Sequence, residues 1–590
     1  MPERELYLYV TTPVDEGVRK FHLAQIDGEE GISEVFHYSL RLRSEDGNVD
    51  FKKLVGQKVT VTIIQHNGTE RHINGVVTRF MQGDFDGKMT TYHAEIRPWL
   101  WELMLTANSK IFQNLSVLDI VSAVFSDMGF TDFSVRTIMT YKPREYCVQY
   151  QETAFAFVSR LMEDEGIFYF FEHEDGKHTL VIADDMDAHQ SCPGLAYARM
   201  RYASIGDKTD DNFITRCTLE QQMIPTKYAV DDYNFETPES DLLTSVDGKE
   251  KGNFRVYEYP GKFANSGEGE TISDKRIEMC ELPQKLLKGQ GFCRAFIAGY
   301  KFELQEHERG DVNDTYVLGR VSIRADQDGY ENEFEAFPAK VPFRPPRTAT
   351  KPRIPGTQTA VVVGKKGEEI WPDEYGRVKV QFHWDQEGKK DENSSCWVRV
   401  TQMWAGKNWG TLFIPRIGAE VIVSFLEGDP DRPIITGTVY NASQVVPYSL
   451  PGEKTKSTMK TNSSLGGGGF NEFRFEDKKG SEEIYFHGEK DWNIDIKNNK
   501  NQNIGNNETL SVAQNRTKTI GFNQFETIGM NKTETVGINQ EIIVGARYEL
   551  ICGASKITVE SNGKITIQGK EFEFTASGPV KINGSVIDLN

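Results

Sequence analysis

Residues 504–545 read IGNNETLS VAQNRTKT IGFNQFET IGMNKTET VGINQEII VG. A β-branched residue returns every eight positions, at Ile504, Val512, Ile520, Ile528, Val536 and Val544. Glycine follows it each time except at Ala513. Asn507, Asn515, Asn523, Asn531 and Asn539 hold a second phase, and Ser511, Thr519, Thr527 and Thr535 close octads. Self-similarity at a fixed period marks an array. Eight is even, so each position of an extended chain keeps its face from one octad to the next. One Ile or Val per octad then makes a continuous apolar line, too thin to be the core of a single chain. Identical chains around a symmetry axis can share it. These six residues are the expected core of an intertwined needle, with the octad glycines letting the backbone turn between short strands. Past Gly545 the period loosens, although 557–559, 564–568 and 580–583 remain strand-like.

The chain has 590 residues, enough for several domains. No run of about 18 apolar residues is present, so no transmembrane helix is expected. The first ten residues, MPERELYLYV, carry charges where a signal peptide needs an apolar core. Folding in the cytosol is expected, with the seven Cys reduced and mostly buried. The net charge of −19 does not suit a nucleic-acid-binding surface. Carboxylates are abundant, yet no segment isolates a catalytic constellation, so no enzyme activity, cofactor or metal is expected.

Residues 1 to about 110 read as strands and turns of a barrel or sandwich, with strands at 6–10, 58–64, 75–80 and 91–97. Ser116 opens a helix with Asp119 in a capping box, and Gly129 closes it. Its apolar face is expected to hold Val117, Leu118, Val121, Val124, Phe125 and Met128. A second helix spans 153–166, and its acidic end, Glu163 to Glu165, reads as solvated. Residues 167–171 form a buried strand. His173 and His178 read as loop histidines around Asp175-Gly176, too few for a zinc site. Strands and polar loops fill 185–370, and the prolines between 342 and 355 mark an extended connector. Strands at 376–382, 397–400, 418–425 and 434–440 fit a small barrel of the oligonucleotide/oligosaccharide-binding (OB) type. Gly466 to Gly469 lack the Lys-Ser or Lys-Thr of a phosphate loop and read as a turning connector.

Four stretches resemble one family. They are IRPWLW at 96–101 with IFQN at 111–114, FVSRLMEDEGI at 157–167, DEYGRVKVQFHW at 373–384, and PRIGAEVIV at 415–423. With the octads they resemble the valine-glycine repeat (VgrG) spikes of bacterial type VI secretion systems. The resemblance implies a mainly β fold with a few helices. Residues 1–365 would be a phage hub-like region of two barrel domains with α/β insertions, and 366–450 an OB-fold domain. A Gly-rich connector and neck would span 451–490, and a triple-stranded β-helical needle and tip 491–590. It implies a homotrimer that punctures a target membrane in transient contact with it. A tube of stacked hexameric (Hcp-type) rings would dock at the hub. A PAAR-repeat protein with its effector would sit on the blunt tip, near Ile582, Ile587, Leu589 and Asn590. The spike would be cytoplasmic when assembled and then ejected into the extracellular space or a target cell. Phage tail spikes of this type carry a lysozyme domain, and about 50 residues between barrel and octads leave no room for one. Some family members carry a toxin after the needle, and none is expected before Asn590. The alternatives are a cell-wall-degrading tail-spike enzyme or a phage tail spike.

Overall fold

Alternation writes the first barrel. Along His37–Ser44, HYSLRLRS buries Tyr38, Leu40 and Leu42 and turns Ser39 and Arg41 outward, the period of a half-buried strand. The same logic repeats through a twelve-stranded sheet in the computed structural model, which describes residues 7–15, 19–201 and 213–589. These fall into two units, Met1–Trp492 and Asn493–Asn590.

In the first unit, one half of the sheet runs Leu8–Thr11, Lys58–Ile64, Glu70–Phe85, Thr90–Arg97, His37–Ser44 and His22–Gly31. Of the strand expected at 6–10, Leu6 lies outside the described residues. The Gln327 amide donates to both Leu8 O (2.7 Å) and Leu23 O (3.1 Å), tying the outer strand back to His22–Gly31. The other half runs Thr315–Asp326, Lys301–Gln305, Ala198–Met200, Phe213–Gln221, Lys285–Gly291 and Tyr330–Pro338, which pairs again with Thr315–Asp326. That half is a closed six-stranded barrel. The two halves share a seam, with His22–Gly31 antiparallel to Thr315–Asp326. A buried cluster locks it: the Arg71 guanidinium donates to Glu30 at 3.0 Å and to Tyr330 Oη at 3.0 Å, and Ala298 N donates to Glu30 at 3.1 Å.

Helix α1 (Val117–Asp127) starts with the expected capping box, and Gly129 follows it at φ +79°. Its buried face holds Ile120 with Val117, Val121, Val124 and Phe125. Met128, expected there, is exposed, because the helix has ended before it. Helix α2 (Ala154–Glu165) is capped by Thr153 and closed by left-handed Gly166. His173 and His178 are not loop residues. They pair across the hairpin of Phe168–Glu174 and Lys177–Ala183. His178 is buried, accepts from Trp99 N at 2.9 Å and shares a 2.7 Å hydrogen bond with Asn74 Oδ1. Burial lowers both imidazole pKa values, that of His178 to about 3.

Helix α3 (Ser266–Glu281) was not expected. It covers a three-stranded sheet of Thr244–Asp247, Lys227–Val230 and Arg255–Glu258. Ile277, with half-buried Ile272 and Cys280, packs on that sheet, but Lys275, Arg276 and Glu281 are buried as well, which leaves little apolar periodicity to read.

The small barrel is a five-stranded sheet in the order Lys379–Phe382, Gln358–Val363, Glu420–Phe425, Pro433–Val439 and Arg399–Val400. A bridge between Val378 and Val398 closes the ring. Gln358–Val363, ahead of the expected start at 366, is its inner strand. Lys456–Lys460, Glu472–Glu476 and Glu483–His487 form an antiparallel neck sheet. The four glycines lie in the loop between its first two strands, where Gly466 and Gly468 take positive φ.

Candidate functional site

In Asn493–Asn590, residues 493–546 run extended and bend at 497–498, 505–506, 513–514, 521–522, 529–530, 537–538 and 545–546. From 505 on, each bend falls on the octad glycine, or Ala513, and the residue after it; the first, one octad earlier, falls on Lys497 and Asn498. Among the described residues, no strand forms across this stretch and no backbone hydrogen bond joins one octad to another within the chain. In the single chain these residues are exposed, so their N–H and C=O groups face water. The bends do not use left-handed backbone. Gly505, Gly521, Gly529, Gly537 and Gly545 have no φ in that region, and a Cβ on any of them would meet no atom of the chain. The expected conformational role of these glycines is therefore not what the backbone uses, and Ala513 fits the same place.

Ile504, Val512, Ile520, Ile528, Val536 and Val544 are each 41–47% exposed in the single chain. Phe522, Met530 and Ile538, two positions on, are at least 90% exposed. The repeat residues therefore line the concave side of the bent chain. Past 546 a three-stranded sheet forms from Arg547–Cys552, Ser555–Glu560 and Ile565–Gln568. Bends then return at 570, 577–578 and 585, near the old spacing, and 580–583 is extended rather than a strand. Ile582, Ile587 and Leu589 are exposed, and Asn590 lies outside the described residues.

In Met1–Trp492, the joint between hub and small barrel is built from charge. The hub strand Cys147–Thr153 gives Tyr146 (just before it) and Val148 to the barrel's apolar core. Val148 N donates to Asp431 Oδ1 at 2.7 Å. Lys351 Nζ lies between Asp429 and Asp431, and Lys262 reaches Asp429 at 3.1 Å. Burial would raise the Asp429 pKa, but Lys351 and Lys262 outweigh it and hold the carboxyl well below the usual range. Trp384 Nε1 donates to Gln358 Oε1 (3.0 Å), and Gln358 Nε2 donates to Tyr150 Oη (2.8 Å). The acidic end of α2 is not solvated. Glu163 accepts from Thr348 Oγ1 and Ala349 N, both at 2.9 Å, pinning the proline-rich connector. Glu165 binds Arg144 at 2.9 Å and Lys275 at 3.1 Å. Sequence reading missed this joint. Its one local signal was the run GDPDR at 428–432, a turn rich in carboxylates.

The chain is 42% identical over 500 residues to the Pseudomonas aeruginosa type VI secretion system spike protein VgrG1b, covering 82% of this chain and 67% of that one. It is 42% identical over 492 residues to VgrG1a of the same organism, covering 81% and 76%. The chain belongs to the VgrG spike family. Three family models divide the VgrG chain among them. The phage tail baseplate hub matches 29–329, the type VI secretion system/phage-baseplate injector OB domain 358–440, and the bacteriophage T4 gp5 C-terminal trimerisation domain 457–571. The hub match covers most of the twelve-stranded sheet, the OB match the five-stranded ring, and the trimerisation match the neck sheet and the octads. The fold is shared with a solved Escherichia coli type VI secretion component described as similar to T4 tail proteins gp27 and gp5. The TM-score is 0.54 at 19% identity, covering 73% of this chain and 99% of that one. This VgrG chain is a puncturing spike protein of the type VI contractile apparatus.

Proposed function

We propose that the chain acts as a non-enzymatic homotrimer, in which three shafts wind together so that the six repeat residues meet on a common axis. The observation that carries this reading is a half-exposed apolar line on an extended backbone with no hydrogen bonds between its own octads. Three chains supply one another's missing backbone partners and leave few open edges. Such a needle comes apart only by separating its chains, so its resistance to force is largely kinetic. The domain plan is a hub over 1–365, a barrel over 366–450 that also takes Gln358–Val363, a neck over 451–490, and a needle and tip over 491–590.

At the hub end the partner is the tube of stacked hexameric rings. At the other end Ile582, Ile587, Leu589 and Asn590 form the platform for a PAAR-repeat protein and its effector. The spike assembles in the cytoplasm and is ejected through the target membrane. Native mass spectrometry of the full chain mixed with the ring protein and with the PAAR protein tests both ends. The expected species are one trimer with one ring and one trimer with one PAAR chain. Binding of the PAAR protein that survives Ile582→Asp and Leu589→Asp together contradicts the platform. A peptidoglycan-release assay on the purified chain tests the enzymatic alternative, and sustained turnover contradicts the non-enzymatic reading.

A further inference from the structure

Counting the β-branched residue as position 1, Glu508, Arg516, Lys518, Glu526, Lys532 and Glu534 stand at positions 5 or 7 of the octads. Glu541, at position 6, is the one other charged residue in 504–545. Positions 5 and 7 meet across the bends, six residues apart. Lys532 Nζ lies 3.0 Å from Glu526 Oε2, Gln540 Nε2 donates to Glu534 Oε1 at 3.2 Å, and Gln502 Nε2 donates to Glu508 Oε1 at 3.5 Å. Apolar residues report the same face. Leu510 and Ile542, at position 7, are 62% and 58% exposed, whereas Phe525 and Ile543, at positions 6 and 8, are 91% and 84% exposed. Odd positions 5, 7 and 1 of each extended segment thus share the concave side, as the period of two requires. Positions 4, 6 and 8, on the convex side, are mostly Asn, Thr and Ser. The shaft keeps its charge on the side of its apolar line.

We infer that positions 5 and 7 form, with position 1, the surface by which copies of this chain recognise one another, and that their non-repeating charges fix the register. This rests on the trimeric reading above. The β-branched line repeats strictly, so a slip of one octad leaves its packing unchanged. Register is weakly specified wherever a pattern is uniform. The pairs across the six bends between 505 and 546 run Gln/Glu, Leu/Arg, Lys/Gln, Glu/Lys, Glu/Gln and Ile/Tyr, and read in chain order no two are alike. A slip of eight sets each layer against a different neighbour, Lys518 with Gln524 beside Glu526 with Lys532. Polar groups at a shared interface lower stability and select one register and stoichiometry, as a single buried Asn does in coiled coils.

The test compares full-length variants by native mass spectrometry at micromolar concentration. Lys532→Glu puts six carboxylates around the axis, and the trimer population is expected to fall by about tenfold or more. Thr533→Glu, one residue on and on the convex side, leaves the trimer unchanged. The exchange Glu526→Lys with Lys532→Glu restores it. Register is read from spin-label distances at Thr533→Cys, with Cys552 replaced by Ser. One narrow distance is expected with the native charges, and several when Glu508, Arg516, Lys518, Glu526, Lys532 and Glu534 are all Gln. Equal behaviour of Lys532→Glu and Thr533→Glu, failure of the exchange to rescue, or one narrow distance in the all-Gln chain overturns the inference. A wild-type chain that is not a trimer instead overturns the reading on which it rests.

Discussion

Ile528→Ala and Ile538→Ala delete the same atoms ten residues apart and separate an axial side chain from a surface one. Ile528 is 45% exposed in the single chain and Ile538 91%. Truncating a fully buried Ile to Ala costs about 2–5 kcal/mol. A little under half of the Ile528 side chain remains for partner chains to cover, so association loses about 1–2 kcal/mol per chain on the same scale. Three copies share one layer, which brings the loss to about 3–6 kcal/mol per trimer, at least about a hundredfold in dissociation. Ile538→Ala stays within about 0.5 kcal/mol, as surface changes do. The assay is the rate at which guanidinium separates the trimer, followed by native mass or by resistance to detergent electrophoresis. Equal rates for the two variants refute the assignment of the β-branched line to the axis.

Lys351→Met removes the cation between Asp429 and Asp431. Lys351 keeps 18% side-chain exposure, so the cost is set below that of a fully dry broken pair, at about 2–4 kcal/mol. Calorimetry of the full chain should show an earlier unfolding transition, and an unchanged profile contradicts the charged joint. Burial depresses the pKa of His173, His178 and His189, the last two to about 3 and about 4. The unfolded chain takes up these protons below pH about 6.5 and the folded chain does not. Stability is therefore full above that pH and falls toward pH 4, by up to about 1.4 kcal/mol per pH unit for each histidine. Denaturant titrations at pH 7.5, 6 and 5 check the slope, and a flat response contradicts it. Gly299 sits at φ +86°, and a Cβ there would lie 2.5 Å from Phe170. Gly299→Ala should lower the hub's unfolding midpoint, and a neutral result contradicts the close packing of that loop on the barrel.

The octads and four of the five OB strands were legible because each obeys a single local period, and the capping box at Ser116 because it is a signal of four adjacent residues. The shaft's thin apolar line was legible too, and it is half-exposed in the single chain. What stayed hidden was held together by charge across long separations. Helix α3 buries Lys275 and Arg276, and Lys275 reaches Glu165 of α2, a pairing no hydrophobic period records. The Lys351–Asp429–Asp431 joint joins residues about eighty apart in sequence. His173 and His178 flank a turn signal, and strand pairing on both sides of Asp175-Gly176 was needed to move them from loop to strand. The octad glycines were read as turn formers, but the bends do without positive φ. Close approach of neighbouring chains is the remaining physical demand for a missing side chain there.

Native mass spectrometry of the full-length chain at micromolar concentration tests the shared-axis needle most directly. The expected result is one species at three times the 66.9 kDa chain mass, lost when 491–590 are removed. A single-chain mass for the intact protein contradicts it.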